Sequence, residues 1–303
     1  MKISGRRLLK IPLLCITILA CGKSAGSERP VVVATTTMIG DMLSRLAGER
    51  LEVRVLIPPR ACPGHFDLSP SDAAKLSQAG LIVRHGFQAY LDRKLTAQNP
   101  DLRIAVLPGS GQLIVPANYL AALRSLNEIL MENYPGQADF FAGNLKTAAQ
   151  KVSEAEKQAQ ERIAAAGLAG ARVLGSVMQA EFLEWAGLEV CGTFTNSPDE
   201  LSVLQLKELV ETADRRQVEF IAGNLHSGGE EVAKMIAAES GLPACLLSNF
   251  PGTNERNPAF GELLLDNIDR LVEARNRADS TGDPGRLRTG ISQAPQQSLA
   301  NTF

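Results

Sequence analysis

One unit occurs twice in this chain, and its shape leaves few folds open. A short β-branched run, Val31–Thr36, is followed by a helically spaced segment from Met38 to Gly48 and then by Leu51-Glu52-Val53. A second run, Arg172–Val177, is followed by Met178 to Gly187 and then by Leu188-Glu189-Val190. Each copy reads strand, helix, Ala-Gly, strand, the signature of a parallel βαβ crossover rather than of a β-sandwich. Strands are expected at Val31–Thr36, Leu51–Ile57, Gly80–His85, Arg103–Leu107, Arg172–Val177, Leu188–Phe194, Val218–Ala222 and Ala244–Leu247.

Between the fourth and fifth strands the pattern changes. From Pro116 to about Ala166 the spacing is helical, broken once at Tyr134-Pro135-Gly136, and the second piece, near Gln137–Ala165, is rich in Ala, Glu, Lys and Gln. At ~1.5 Å per residue such a helix is about 40 Å long, enough to cross a small domain. The expected fold is therefore α/β: two lobes, each a parallel sheet flanked by helices, joined by a long rigid helix. The boundaries fall at 1–21 for a leader, 22–115 for the first lobe, 116–169 for the helical linker, 170–278 for the second lobe, and 279–303 for an aperiodic tail that reads as disordered. Ser69-Pro70-Ser71-Asp72 and Ser197-Pro198-Asp199-Glu200 read as helix starts, with Ser as N-cap and Pro and acid in the first turn.

The leader is read from charge and length. Lys2, Arg6, Arg7 and Lys10 precede an apolar run from Ile11 to Ala20 that is too short to span a bilayer, the pattern of a secretory signal peptide. It closes on Ile18-Leu19-Ala20-Cys21-Gly22, which resembles the lipobox of bacterial lipoproteins, so Cys21 is the expected lipidation site. Loss of those four cations takes the formal net charge from −2 to −6. A mildly acidic protein held outside the cytoplasmic membrane by a lipid is expected, without the basic footprint that nucleic acid requires. Three cysteines, Cys62, Cys191 and Cys245, then remain in an oxidising compartment. Cys191 and Cys245 fall in strands separated by others and are expected to be buried thiols rather than a disulfide.

In open parallel sheets the ligand crevice lies beyond the carboxyl ends of the strands. The chain has three histidines, and each falls at or after such an end: His65 in the loop after the second strand, His85 closing the third, His226 after the seventh. Cys62-Pro63-Gly64-His65 puts a thiol and an imidazole on one tight turn, with Asp67 as an oxygen donor or a partner for the imidazole. Ser227-Gly228-Gly229-Glu230 reads as a capping box, which sets His226 just outside a helix N-terminus and favours its neutral, ligand-competent form. His85 reads as structural.

Val32-Val33-Ala34-Thr35-Thr36, the Pro58-Pro59 turn, a histidine shortly before Ser69-Pro70-Ser71-Asp72, and the strand Leu81-Ile82-Val83 together resemble the metal-receptor cluster of ABC-transporter solute-binding proteins for zinc, manganese or iron. The likeness runs from about Pro30 to Ala274. It implies two α/β lobes joined by a rigid helix, with a metal held in the cleft by ligands from both. The family's ligand positions fall on Gly64, one residue before His65; near Gly111 or Gln112; near Ser176, with Gln179 and Glu181 beyond it; and near Asn249. The set this chain offers in their place is His65 and Cys62 from one lobe with His226 and Gln179 or Glu181 from the other.

The resulting expectation is an extracytoplasmic solute-binding lipoprotein, monomeric and not an enzyme, that captures a divalent transition metal for an ABC permease. Zinc is favoured, with manganese or iron as alternatives. The same scaffold adapted to a metal chelate or small organic ligand is the second reading. An extracytoplasmic hydrolase is the least supported, since no Gly-x-Ser-x-Gly elbow, His-Glu-x-x-His pair or phosphate loop is present.

Overall fold

The computed structural model describes residues 29–109 and 111–281. The leader with Cys21, and the tail from residue 282 onward, lie outside the described residues. All eight expected strands form: β1 (Val31–Ala34), β2 (Glu52–Val55), β3 (Ala79–His85), β4 (Arg103–Leu107), β5 (Arg172–Ser176), β6 (Glu189–Phe194), β7 (Phe220–Asn224) and β8 (Ala244–Leu247). They make two parallel sheets in the orders β2-β1-β3-β4 and β6-β5-β7-β8. The sequence echo is thus a structural repeat, since both sheets carry the same permutation.

In the first lobe α1 (Thr37–Ala47), α2 (Pro70–Ser77) and α3 (Asp92–Gln98) flank the sheet; in the second, α6 (Ala180–Trp185), α7 (Val203–Arg215) and α8 (Gly229–Ser240) do so. Thr36 caps α1, its Oγ1 accepting from the Ile39 amide at 3.4 Å. Gly40 lets α1 lie against β2, because a Cβ there would come within 2.7 Å of Val55 Cγ2. Asp72 reaches back to the Ser69 amide at 3.0 Å and caps α2 as expected. The other expected start is displaced: Pro198–Glu200 is a single 3₁₀ turn, and α7 begins at Val203, where Ser202 and Gln205 cap each other. A reciprocal cap satisfies two orphan amides at once, and the Ser197 segment has no such partner.

The linker contains α4 (Pro116–Asn133) and α5 (Ala138–Ala165), separated by a 3₁₀ turn at Pro135–Gln137, and α9 (Phe260–Thr281) packs back along α5. At 28 residues α5 is about 42 Å long. Its buried residues, Phe141, Ala148, Val152, Ala155, Ala159 and Ile163, recur at three, four or seven, the spacing of one face. That face joins a single apolar core running from Val32 of one sheet to Val173 and Phe220 of the other. Separate clusters fill the outer faces of the sheets. Asp41 adds a polar fastening, accepting from the Tyr119 hydroxyl (2.6 Å), Arg45 Nε (2.9 Å) and the Phe260 amide (3.4 Å), so it ties α1, α4 and α9 together. α9 runs to Thr281, three residues into the stretch expected to be tail. No helix among the described residues is long and apolar enough to cross a membrane.

Candidate functional site

The carboxyl ends of both sheets open onto one cavity of about 640 Å³ between the lobes. From the first lobe come Cys62, His65 and His85; from the second, Met178, His226 and Asn249. No Asp, Glu, Lys or Arg is among the described residues lining it. The turn from Cys62 to His65 is pinned, because the Pro63 carbonyl accepts from the Tyr90 hydroxyl (3.0 Å) and from Gln88 Nε2 (3.3 Å). On that turn Cys62 Sγ lies 3.4 Å from His65 Nδ1 and 3.0 Å from Ser227 Oγ of the opposite lobe. Burial raises the Cys62 pKa, but hydrogen bonding to Ser227 and His65 and to the Gly64 and His65 backbone outweighs it, and the net shift is downward, toward thiolate.

His226 is brought to the cavity by the turn after β7, but not in the way the sequence implied. No capping box forms at α8. Gly228 is the N-cap at φ 81°, and Ser227 sits at φ 59°, in the left-handed region, where its hydroxyl turns toward Cys62. A non-glycine residue held there is a mark of functional sites, and here it makes a contact between lobes. His226 is buried, and burial, with Arg60 nearby, pushes its pKa down to about 4. His85, read from the sequence as structural, also lines the cavity. Its Nε2 lies 2.9 Å from Thr36 Oγ1, its ring stacks on Phe87, and burial pushes its pKa down to about 4 as well. Both imidazoles are neutral at physiological pH and therefore able to donate a lone pair.

Three acids and amides expected at the site serve other purposes. Glu181 accepts from the Gln112 amide and from Asn118 Nδ2, each at 2.6 Å, so its carboxylate clamps the end of the first lobe onto the second and does not line the cavity. Gln179 is fully buried behind the wall, its Nε2 donating to Asn224 Oδ1 and Asn249 Oδ1 at 3.1 Å each. Asp67 faces solvent, where Lys94 pairs with it at 2.7 Å and lowers its pKa. Among the described residues no three His, Cys, Asp or Glu side chains cluster closely enough to hold a metal together. Cys245 is buried as expected, with its thiol pushed up to about 12, whereas Cys191, expected to be buried as well, is only half-buried.

Sequence reasoning missed the methionines. Met38 and Met178, which mark the internal repeat, line the cavity from equivalent positions in the two lobes. The signal was the repeat itself. His85 carried one too, as a histidine closing a central strand with Gly86 after it.

The profile of the family described as zinc-uptake complex component A, periplasmic, matches residues 32–274. The chain belongs to this family. Members are solute-binding components of transporters, not enzymes. The chain is 24% identical over 185 residues to the manganese ABC transporter substrate-binding lipoprotein PsaA of Streptococcus anginosus, 51% of this chain and 60% of that protein. It is 21% identical to the metal ABC transporter substrate-binding lipoprotein FimA of Streptococcus parasanguinis, across 90% of this chain and 98% of that one. The periplasmic zinc-binding protein TroA from Treponema pallidum shares the fold, with TM-score 0.67 and 17% identity over 82% of this chain and 99% of its own. The names of these similar proteins include both manganese and zinc, so the likeness by itself names no single metal.

Proposed function

We propose that this protein is the extracytoplasmic receptor of a metal ABC importer and that its cargo is a soft divalent transition metal, zinc in preference to manganese. The observation that carries this reading is the cavity lining: a thiol shifted toward thiolate, two imidazoles shifted toward their neutral forms, and no carboxylate. Thiolate and imidazole suit zinc, whereas manganese prefers carboxylate and water. Cys62 and His65 form the first lobe's half of the site, and His226 the second lobe's. The lobes at 22–115 and 170–278 act as the two jaws, the segment 116–169 as a rigid spine, and Cys21 as the lipid anchor that keeps the monomer near its permease.

A second reading has its own support. A cavity of about 640 Å³ is in the range that holds a small organic molecule, and the donors do not converge on one point. That favours a metal carried in a chelate, or a small organic ligand, on the same scaffold.

Thermal melts with zinc, with manganese and without metal, run beside alkylation of Cys62, test the first reading. Zinc at 100 times its Kd adds about 2.7 kcal/mol, or roughly 5–10 °C for a protein of this size, and should shield Cys62. Manganese should do less. Equal melting in all three conditions with Cys62 equally reactive would transfer support to the second reading.

A further inference from the structure

The second lobe holds a buried polar atom that its own fold leaves unsatisfied. His226 is 3% exposed and lines the cavity, and its Nδ1 has no hydrogen-bond partner. The other ring nitrogen, Nε2, lies 3.1 Å from Ser248 Oγ. Ser248 has a single hydroxyl proton, which it donates to the Phe250 carbonyl at 2.9 Å, while the Phe250 amide donates back to Oγ at 3.2 Å. Toward His226, then, Oγ is an acceptor, and Nε2 carries the proton. The opposite tautomer would take the donor from the Phe250 carbonyl and leave an N–H at Nδ1 buried without an acceptor.

The surroundings hold this arrangement still. Asn267 of α9 grips the Ser248 backbone on both sides, accepting from its amide at 3.0 Å and donating to its carbonyl at 2.8 Å. Asn224 Nδ2 donates to the His226 carbonyl at 3.1 Å, and the Phe250 ring meets the imidazole edge-on at 5.0 Å. The lone pair of Nδ1 is thus held in place with no partner from the protein, and an electron-pair acceptor would satisfy it.

We infer that His226 Nδ1 is the second lobe's donor to the metal and that Ser248 is a positioning residue, fixing the tautomer that leaves this lone pair free. The inference rests on the metal-receptor reading and deepens it by naming the atom and the group that sets it. His226 lies at none of the ligand positions that the family resemblance implies, so the second lobe has moved its donor to the turn after β7.

Histidine-labelled protein with ¹⁵N in both ring nitrogens, titrated with Zn²⁺ alone and read by two-bond proton–nitrogen correlation, tests it. Before zinc, His226 should show an unprotonated Nδ1 and a protonated Nε2; its signals are assigned by their loss in His226→Gln. Zinc should shift Nδ1 to the region of a coordinated nitrogen while Nε2 keeps its proton. Ser248→Ala should release a mixture of tautomers and weaken zinc binding tenfold or more, and Ser248→Thr, which keeps the hydroxyl, should restore both. A protonated Nδ1 in the unloaded wild type overturns the inference with no variant needed. So does an Nδ1 signal that ignores zinc while His65 responds, and that result leaves the metal-receptor reading standing. If none of the three histidines responds to saturating zinc, both fall.

Discussion

Glu181 offers a direct test of whether an acid near the cleft holds cargo or holds the lobes together. Its two oxygens accept from the Gln112 amide and Asn118 Nδ2 at 2.6 Å. The strand of contacts continues from Gln112, whose Nε2 donates to the Val177 carbonyl at 3.0 Å and whose Oε1 accepts from the Phe182 amide at 3.2 Å. Asn118 Nδ2 also donates to the Gln112 carbonyl, and a Cβ at Gly111 would lie 2.3 Å from that nitrogen, so any side chain there would displace Asn118. Hydrogen bonds to a charged acceptor are worth ~1.5–3 kcal/mol each, and Glu181 is only half-buried, so the lower end applies. Glu181→Ala should therefore cost about 2–4 kcal/mol, and Glu181→Gln, which keeps one acceptor oxygen without the charge, about half of that. At ~2–4 °C per kcal/mol for a chain of this size, calorimetry of the metal-free Ala variant should show melting roughly 5–10 °C lower. Zinc affinity of Glu181→Gln should stay within about threefold of wild type, or ~0.7 kcal/mol. A metal-free melt within about 1 °C of wild type, combined with zinc binding weakened tenfold or more, would return Glu181 to the ligand set and refute the clamp.

Two further predictions concern stability. Asp41→Ala strips the acceptor from the wholly buried Tyr119 hydroxyl and the partner from Arg45, so urea unfolding should show a loss of about 3–4 kcal/mol. Tyr119→Phe, which removes only the hydroxyl, should cost about 1 kcal/mol, and equal losses in the two variants would refute the hub. His226 has a folded pKa of about 4 against an ordinary 6.5. The unfolded chain therefore takes up the proton first, and the contribution, full above pH 6.5, declines as pH falls toward 4. At pH 5 it amounts to a loss of about 2 kcal/mol. Urea melts at pH 7 and pH 5 should show wild type losing about that much more than His226→Gln, and identical losses would sink the argument.

The lobes, the repeat and the spine were legible in the chain because each depends on local periodicity. β-branched runs of four to seven residues, separated by helical spacing and Ala-Gly turns, admit little besides parallel βαβ units, and the Ala-rich stretch after Gly136 admits little besides a long helix. The closeness of Cys62 and His65 was legible too, since a Pro-Gly turn joins them within four residues. What the chain could not show is which side chains face one another across the cleft. Glu181 and Gln112 are 69 residues apart in sequence, and only the docking of one lobe on the other turns that carboxylate from a candidate ligand into a clamp. Ser227 spells a cap in sequence, yet its left-handed backbone carries the hydroxyl across to Cys62, 165 residues away. The free nitrogen of His226 follows from Ser248, Phe250 and Asn267, residues brought to it by β8 and α9. Local pattern determines which elements form, because each element satisfies its own backbone. The direction in which a polar side chain spends its hydrogen bonds is decided by distant partners, and those exist only once the two sheets have packed against the common spine.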